Sequence, residues 1–208
     1  RLAVRFCKLE QYCPTADLFS LYHTRETAFL DSSLTNKYGN YSIIGLYSYL
    51  KAEETDGILK VNGTIQKGSL LDFLNQYLKK HKEENPTNLP MLGGAIGYLS
   101  YDYGRSFEQI PSRHKKKISM PDAMFEFFDL YLIEDLKKKE LYLSTSEHFH
   151  TLEEYRSEIM QDILTLASKN VTVDSRLCDV RIKSDFVKQD YLNAIDSMID
   201  YIRAGDIY

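Results

Sequence analysis

The chain has no tryptophan, only three cysteines, and no apolar run long enough to cross a membrane. The cysteines (Cys7, Cys13 and Cys178) are odd in number and lack metal-ligand spacing, which argues against a disulfide framework and for free thiols in a reducing compartment. The net charge of -4 provides no basic field that would recruit nucleic acid or an anionic membrane. A signal-peptide pattern is also missing. We therefore expect a cytoplasmic protein that binds neither nucleic acid nor membranes.

The sequence also lacks a recognisable set of catalytic or metal-binding residues. Its five histidines lie in polar segments, and no helix carries two of them at metal-ligand spacing. His148 and His150 would share one face of a strand, where a surface pair is the simpler interpretation. No Gly-x-Ser-x-Gly elbow, catalytic cysteine setting or phosphate-binding loop occurs. From the residues alone we predict no catalytic group and no metal site in this chain.

What the chain does contain is the composition of an ordinary globular protein. Hydrophobic residues make up 43% and charged residues 27%. A length of 208 residues suits one large domain, or one domain and a fragment of a second. Sixteen tyrosines imply aromatic packing in which buried hydroxyl groups need hydrogen-bond partners.

Short strands and helices are predicted to follow one another along the chain. Apolar patterning predicts strands over 2–6, 27–32 and 41–49, and two hairpins over 58–67 and 130–144. The first hairpin turns at Asn62-Gly63, a strong turn dipeptide. Helical spacing predicts helices over 16–23, 69–78, 152–166 and 191–202, with Ser69 as an N-cap and Gly205 as a C-cap. These elements predict an α+β fold with antiparallel sheets packed against helices.

A glycine-rich segment, LPMLGGAIGYLSYDYGRSFEQIP (89–111), lies at the centre of this pattern. Its glycines within an apolar run predict a buried central strand over 91–99, in close contact with another backbone. A valine at Gly94 should therefore overpack that contact. Arg105 and Glu108, three residues apart, predict a helical turn. The spacing G-G-x-x-G fits neither a dinucleotide-binding loop nor a P-loop, so on spacing alone the glycines are packing devices.

The part GGAIGYLSYDYGRSFE resembles the N-terminal signature of the chorismate-utilising synthases, the family of the large components of para-aminobenzoate and anthranilate synthases. The last segment, YLNAIDSMIDYIRAGDIY (191–208), resembles the start of that family's catalytic domain. Two matches in the right order are more specific than either one alone. The signature residues in this sequence are Gly93, Gly94, Gly97, Tyr101, Asp102 and Arg105.

The resemblance implies two regions. Residues 1–183 would form a regulatory or partner-docking domain of the anthranilate synthase component I type. Apart from the resemblance, the polar composition of residues 168–184 predicts a linker there. Residues 184–208 would be the opening helix of the chorismate-binding catalytic domain. The chain stops where a new strand should begin, so we expect it to be truncated before most of that domain. The implied chemistry is Mg²⁺-assisted amination of chorismate, with ammonia from a glutamine amidotransferase subunit. Its catalytic residues and Mg²⁺ ligands would lie outside this chain, which alone should be inactive.

Two branches of the family remain open. The form YDYGRSFEQIP, with Gly104 before Arg105, favours para-aminobenzoate (aminodeoxychorismate) synthase component I, an enzyme of folate biosynthesis. Anthranilate synthase component I, of tryptophan biosynthesis, is the alternative. A third hypothesis, of another class, is a non-catalytic module that binds a ligand and docks a partner.

The resemblance also implies a ligand pocket. In the family, an apolar-apolar-acid-serine motif and a G-R-Y-S-like segment line a site that binds tryptophan in many members. The pocket residues that the resemblance implies here are Ser32, Tyr41 and Asp31. Asp31 is shorter than the usual glutamate and Asn40 replaces the usual arginine, so weak tryptophan binding or a vestigial pocket is expected. The alternative is that both segments are only paired core strands. The corresponding segments are Phe29-Leu30-Asp31-Ser32 and Gly39-Asn40-Tyr41-Ser42.

Overall fold

The computed structural model describes residues 4–34, 36–108, 110–111, 118–168 and 181–208. It divides into two compact units, Arg1–Asn170 and Val171–Tyr208. The predicted linker falls mostly outside the described residues. In the described part of the chain, no helix is both long and apolar enough to span a membrane.

The first unit is built on one antiparallel sheet, of which the structure describes eight strands. They are β1 (Arg5–Lys8), β2 (Thr27–Leu30), β3 (Tyr41–Thr55), β4 (Ile58–Val61), β5 (Thr64–Gln66), β6 (Ala95–Leu99), β7 (Ala123–Asp135) and β8 (Glu140–Thr145). Six of them lie side by side in the order β1-β8-β7-β3-β4-β5, while β2 pairs with β3 and β6 pairs with β7. The long pair β3–β7 forms the middle of the sheet, with a β-bulge between Ser48 and Leu50.

The helices begin and end close to where local signals place them. Ser69 Oγ accepts a hydrogen bond from the Asp72 N–H at 3.1 Å, and Gly205 adopts φ +82° after the last helix. Asn62 and Gly63 both have positive φ at the predicted hairpin turn. The helices are α1 (Thr15–Tyr22), α2 (Leu70–Lys80), α3 (Arg105–Glu108), α4 (Leu152–Ser168) and, in the second unit, α5 (Lys188–Ala204), with a 3₁₀ turn at Tyr101–Gly104.

Strand β7 is buried on both faces, which explains its nearly continuous apolar sequence. Successive side chains of a strand point to opposite faces. Leu130 and Leu132 belong to the core cluster that includes α1 and α4 residues. Tyr131 and Ile133 belong to a second cluster, beneath the segment 89–96. A third cluster joins α2 to β3, β4 and Phe127. The sheet therefore carries packed layers on both sides.

The prediction of a buried central strand over 91–99 is wrong. Strand β6 begins only at Ala95 and, among the described residues, pairs with β7 alone, so it lies at a sheet edge. Ile96 is buried, but Leu99 is 49% exposed. The preceding residues, including Leu92, cross the sheet face as a loop and contribute to the core there.

The glycines of this segment have two different structural roles. A Cβ atom on Gly97 would lie 2.0 Å from the Met124 backbone oxygen, so the predicted close backbone contact occurs at Gly97. Gly94 has φ +132°, and a Cβ there would meet no atom within 4 Å. The expected overpacking by valine at Gly94 is therefore wrong. This position needs glycine for its backbone conformation instead.

Candidate functional site

The pocket residues implied by the resemblance meet where β2 leads into β3. The Ser32 hydroxyl donates to the Tyr41 backbone carbonyl at 2.6 Å. The Ser42 hydroxyl accepts from the Ser32 N–H at 3.0 Å and donates to Asp31 Oδ1 at 3.1 Å. The structure thus brings Ser32, Tyr41 and Asp31 together. Their hydrogen bonds also close the connection between the two strands.

An unsatisfied acceptor lies next to this cluster. Asn40 Nδ2 donates to the Lys37 carbonyl at 3.1 Å, but the buried Asn40 Oδ1 accepts no hydrogen bond from any residue the structure describes. The Tyr41 hydroxyl reaches toward the Asn88 carbonyl at a long 3.5 Å. Buried acceptors normally have a donor, and for Asn40 Oδ1 the described residues do not supply one.

The signature residues that follow β6 differ in their exposure to solvent and in their contacts. Tyr101 is fully exposed, and Asp102 Oδ1 lies 2.9 Å from Arg105 Nε. The helical turn forms as predicted, although Arg105 pairs with Asp102 and not with Glu108. Tyr103 is buried and donates to Glu54 Oε2 at 3.2 Å. Burial, followed by the Glu54 carboxylate, raises the pKa of Tyr103 to about 12.

Two buried glutamates of the sheet hold helix N-termini, a role that sequence reasoning missed. Pro14 precedes α1 and makes no side-chain cap. Glu134 of β7 instead accepts from the Thr15 N–H at 2.8 Å and from the Thr15 hydroxyl at 2.5 Å. Glu54 of β3 accepts from the Leu70 N–H, at the start of α2, at 2.7 Å. A carboxylate is favourable at the positive end of a helix dipole. The signal available in the sequence was an acidic residue within an apolar strand.

Asp129 is a third buried carboxylate, fully enclosed in the middle of β7. It accepts from the backbone N–H groups of His148 and Phe149, both at 2.8 Å. The hydroxyl groups of Tyr155 and Thr145 donate to it at 2.7 and 3.2 Å. Burial, followed by this carboxylate, raises the pKa of Tyr155. With four donors in place, Asp129 is suited to fixing the segment after β8 rather than to proton transfer.

The two histidines of that segment are exposed, and their rings contact different tyrosines. His148 and His150 follow β8 in an irregular segment and do not lie on the face of a strand. The His148 ring stacks on Tyr49 with centroids 3.9 Å apart. The His150 ring contacts Tyr47 and Tyr155 edge-on.

Metal ligands were predicted to lie outside this chain. Among the residues that the structure describes, no three His, Cys, Asp or Glu side chains converge on a possible metal site. The buried carboxylates of Glu54, Asp129 and Glu134 accept protein donors. These residues therefore do not fit a Mg²⁺ site, and the location of the Mg²⁺ ligands stays a prediction.

Comparison with known proteins gives the family. A family model described as chorismate binding enzyme matches residues 27–208, most of the chain. The chain belongs to the chorismate-binding enzyme family. The predicted resemblance is thereby confirmed at the level of the family.

Relatives in this family carry two names. Anthranilate synthase component 1 of Thermus thermophilus is 28% identical over 180 residues, covering 86% of this chain and 39% of the relative. Aminodeoxychorismate synthase component 1 of Bacillus subtilis is 26% identical over 182 residues, covering 82% and 38%. The protein of the same name from Klebsiella aerogenes is 43% identical over 56 residues, covering 27% and 12%. The chain spans about two fifths of the length of the first two relatives.

A solved structure supports the predicted fold class. The crystal structure of anthranilate synthase component I from Streptococcus pneumoniae matches with a TM-score of 0.59 at 23% identity, over 84% of this chain and 41% of that chain. This likeness confirms the α+β fold of the anthranilate synthase component I type.

Proposed function

We propose that this chain is the N-terminal part of aminodeoxychorismate synthase component I. The whole protein would aminate chorismate with ammonia from a glutamine amidotransferase subunit, assisted by Mg²⁺. The observation that carries the proposal is the chorismate-binding family match over residues 27–208. The branch is supported by the form YDYGRSFEQIP and by the 43% identity over 56 residues to the Klebsiella aerogenes protein.

Anthranilate synthase component I is the second candidate. It is favoured by the 28% identity over 180 residues to the Thermus thermophilus protein. In either case we assign residues 1–183 to regulation or partner docking, and residues 184–208 to the start of the catalytic domain. The buried carboxylates of the first unit accept hydrogen bonds that secure helices and loops, so we assign them a structural role and not a catalytic one.

The test is an assay with chorismate, Mg²⁺ and ammonia on the longer protein that contains this segment. We expect aminodeoxychorismate as the product, whereas anthranilate would assign the other branch. Failure to consume chorismate would contradict both. The 208-residue chain itself should give no product, because we assign it no catalytic group. Turnover by the chain alone would overturn that assignment.

We infer that the Ser32–Tyr41–Asp31 cluster is a weak amino-acid site derived from a tryptophan pocket. The buried Asn40 Oδ1 could accept from an ammonium group, and the Tyr41 ring offers an aromatic edge. However, the Ser32 hydroxyl already donates to the Tyr41 carbonyl. A ligand would have to compete with or share that bond, which is why weak binding is expected.

Calorimetry with tryptophan should therefore give a dissociation constant of about 1 mM or weaker. Ser32→Ala should reduce binding further, because it removes the hydroxyl that joins the two segments. The matched control is Ser20→Ala, since the Ser20 hydroxyl also donates to a backbone carbonyl, that of Asp17 at 2.6 Å. Tight binding that survives Ser32→Ala would mean that the site lies elsewhere. No binding, with only a loss of stability in Ser32→Ala, would assign the cluster a structural role.

A further inference from the structure

A cavity of about 690 Å³ is lined by residues other than those of the Ser32 cluster. We call it the aromatic cleft. Its volume lies in the range of small-molecule sites. Ser32, Tyr41 and Asp31 are not in its lining, whereas Gly93 and Gly94 are. One side of the cleft is the end of α2 with the following residues 81–85, and another is the segment 90–94. Three aromatic side chains complete the lining: Tyr49 of β3, Phe127 of β7 and His148 of the segment after β8.

The floor of the aromatic cleft is a set of contacting rings. Buried Phe127 lies 4.7 Å from Tyr77 and 6.3 Å from Tyr49, measured between ring centroids. Each tyrosine carries a stacked imidazole: His148 lies 3.9 Å from Tyr49, and His81 lies 4.1 Å from Tyr77. Flat aromatic surfaces of this kind favour a flat ligand, because stacking adds to the gain from apolar burial.

Strained backbone positions accompany the residues that line the cleft. Tyr47 of β3 has φ +63°, just before the bulge between Ser48 and Leu50 that contains Tyr49. Glu147 has φ +55° immediately before His148, whose N–H is held by Asp129. Left-handed conformations are unfavourable for residues with side chains, and they persist where the surrounding fold fixes them, often at binding sites. Two such positions therefore lie next to residues whose rings line the cleft.

The polar groups of the cleft select the ligand further. His81 Nδ1 lies 2.8 Å from the Tyr77 carbonyl, which can only accept, so Nδ1 carries the proton. In the tautomer with its proton on Nδ1, Nε2 is an acceptor. Two lysines and two glutamates among the lining residues balance in formal charge: Lys79, Lys82, Glu83 and Glu84. This balance favours neither an anion nor a cation, and the acceptor favours a ligand with a donor.

We propose that the aromatic cleft binds a small, uncharged aromatic molecule that carries a hydroxyl or amino donor. Its ring would lie against the Tyr49–His148 and Tyr77–His81 pairs, and its donor would bind His81 Nε2. This proposal goes beyond the proposed synthase function.

The first test is an NMR titration of the ¹⁵N-labelled 208-residue chain with four probes. Phenol has both the ring and the donor, anisole lacks the donor, cyclohexanol lacks the flat ring, and benzoate adds a charge. We expect phenol to shift the amide signals of Tyr49, Tyr77, Gly93 and His148, and to bind about fivefold tighter than anisole or cyclohexanol, the worth of one net hydrogen bond or ring contact. Benzoate should bind no better than anisole.

The second test removes the acceptor. His81→Phe keeps an aromatic ring, so it should abolish the preference for phenol over anisole while retaining anisole binding. His23→Phe is the matched control, because His23 also follows a helix end and has Nδ1 2.8 Å from a carbonyl, that of Ser20. His23 is not among the cleft residues, and its replacement should leave the preference intact.

Several results would overturn the proposal. They are equal binding of cyclohexanol and phenol, tighter binding of benzoate, signal changes away from the cleft, and a phenol preference that survives His81→Phe. Tighter binding of N-acetyltyrosinamide than of phenol would point to a protein side chain as the occupant. If His81→Phe does not fold, the probe series on the unaltered chain decides the question.

Discussion

Replacing Asp129 by alanine is expected to lower the free energy of unfolding by about 4 kcal/mol. The carboxylate is fully buried and accepts from two backbone N–H groups and the Tyr155 hydroxyl at 2.7 to 2.8 Å. Alanine would leave these three donors buried without an acceptor, and it would add a cavity. Since small proteins are stable by only about 5 to 15 kcal/mol, the first unit would be close to unfolding.

Urea unfolding followed by circular dichroism measures this effect. The matched control is Asp102→Ala, because the Asp102 side chain is 64% exposed and makes an ion pair with Arg105. That change should cost less than about 1 kcal/mol. The loss of unfolding free energy in Asp129→Asn should lie between those of the two alanine variants. The amide nitrogen of asparagine would face donors, whereas its amide oxygen would still accept hydrogen bonds. If Asp129→Ala were as stable as the Asp102 control, the anchoring role of this carboxylate would be refuted.

Replacing Gly97 by valine is expected to lower the free energy of unfolding by about 3 kcal/mol or more. The added Cβ would lie 2.0 Å from the Met124 backbone oxygen and 2.7 Å from the Phe125 Cα atom. These are backbone atoms of the paired strand β7, so no side-chain rotation can relieve the contact. Strand β6 would have to move away from β7, which would break the ladder from Ala95 to Leu99.

Thermal and urea unfolding of three variants separates this contact from other effects of losing a glycine. Gly104→Ala is the control, because a Cβ there meets no atom within 4 Å and the backbone φ is not positive. It should be neutral or slightly stabilising, through a smaller entropy of the unfolded chain. Gly94→Val should destabilise through its positive φ alone. Equal stability of Gly97→Val and Gly104→Ala would show that the close approach does not constrain the sheet.

Local sequence signals determined many of the elements. Asn62-Gly63 placed a hairpin turn, Ser69 placed the start of α2, and Gly205 placed the end of α5. Each of these signals acts between residues at most four positions apart, so its physical cause lies within the segment itself. The family could likewise be recognised from the sequence, because its signature is a contiguous segment around Gly93 and Gly94.

The tertiary structure alone decided which strands pair and what each buried polar group does. The sequence of β6 fits a central strand as well as an edge strand, and only its pairing with β7 distinguishes Gly97 from Gly94. Glu134 holds the start of α1 across 119 positions of sequence. The aromatic cleft draws its rings from β3, α2, β7 and the segment after β8. Such contacts depend on strand register and on long-range packing, for which a single sequence carries no local signal.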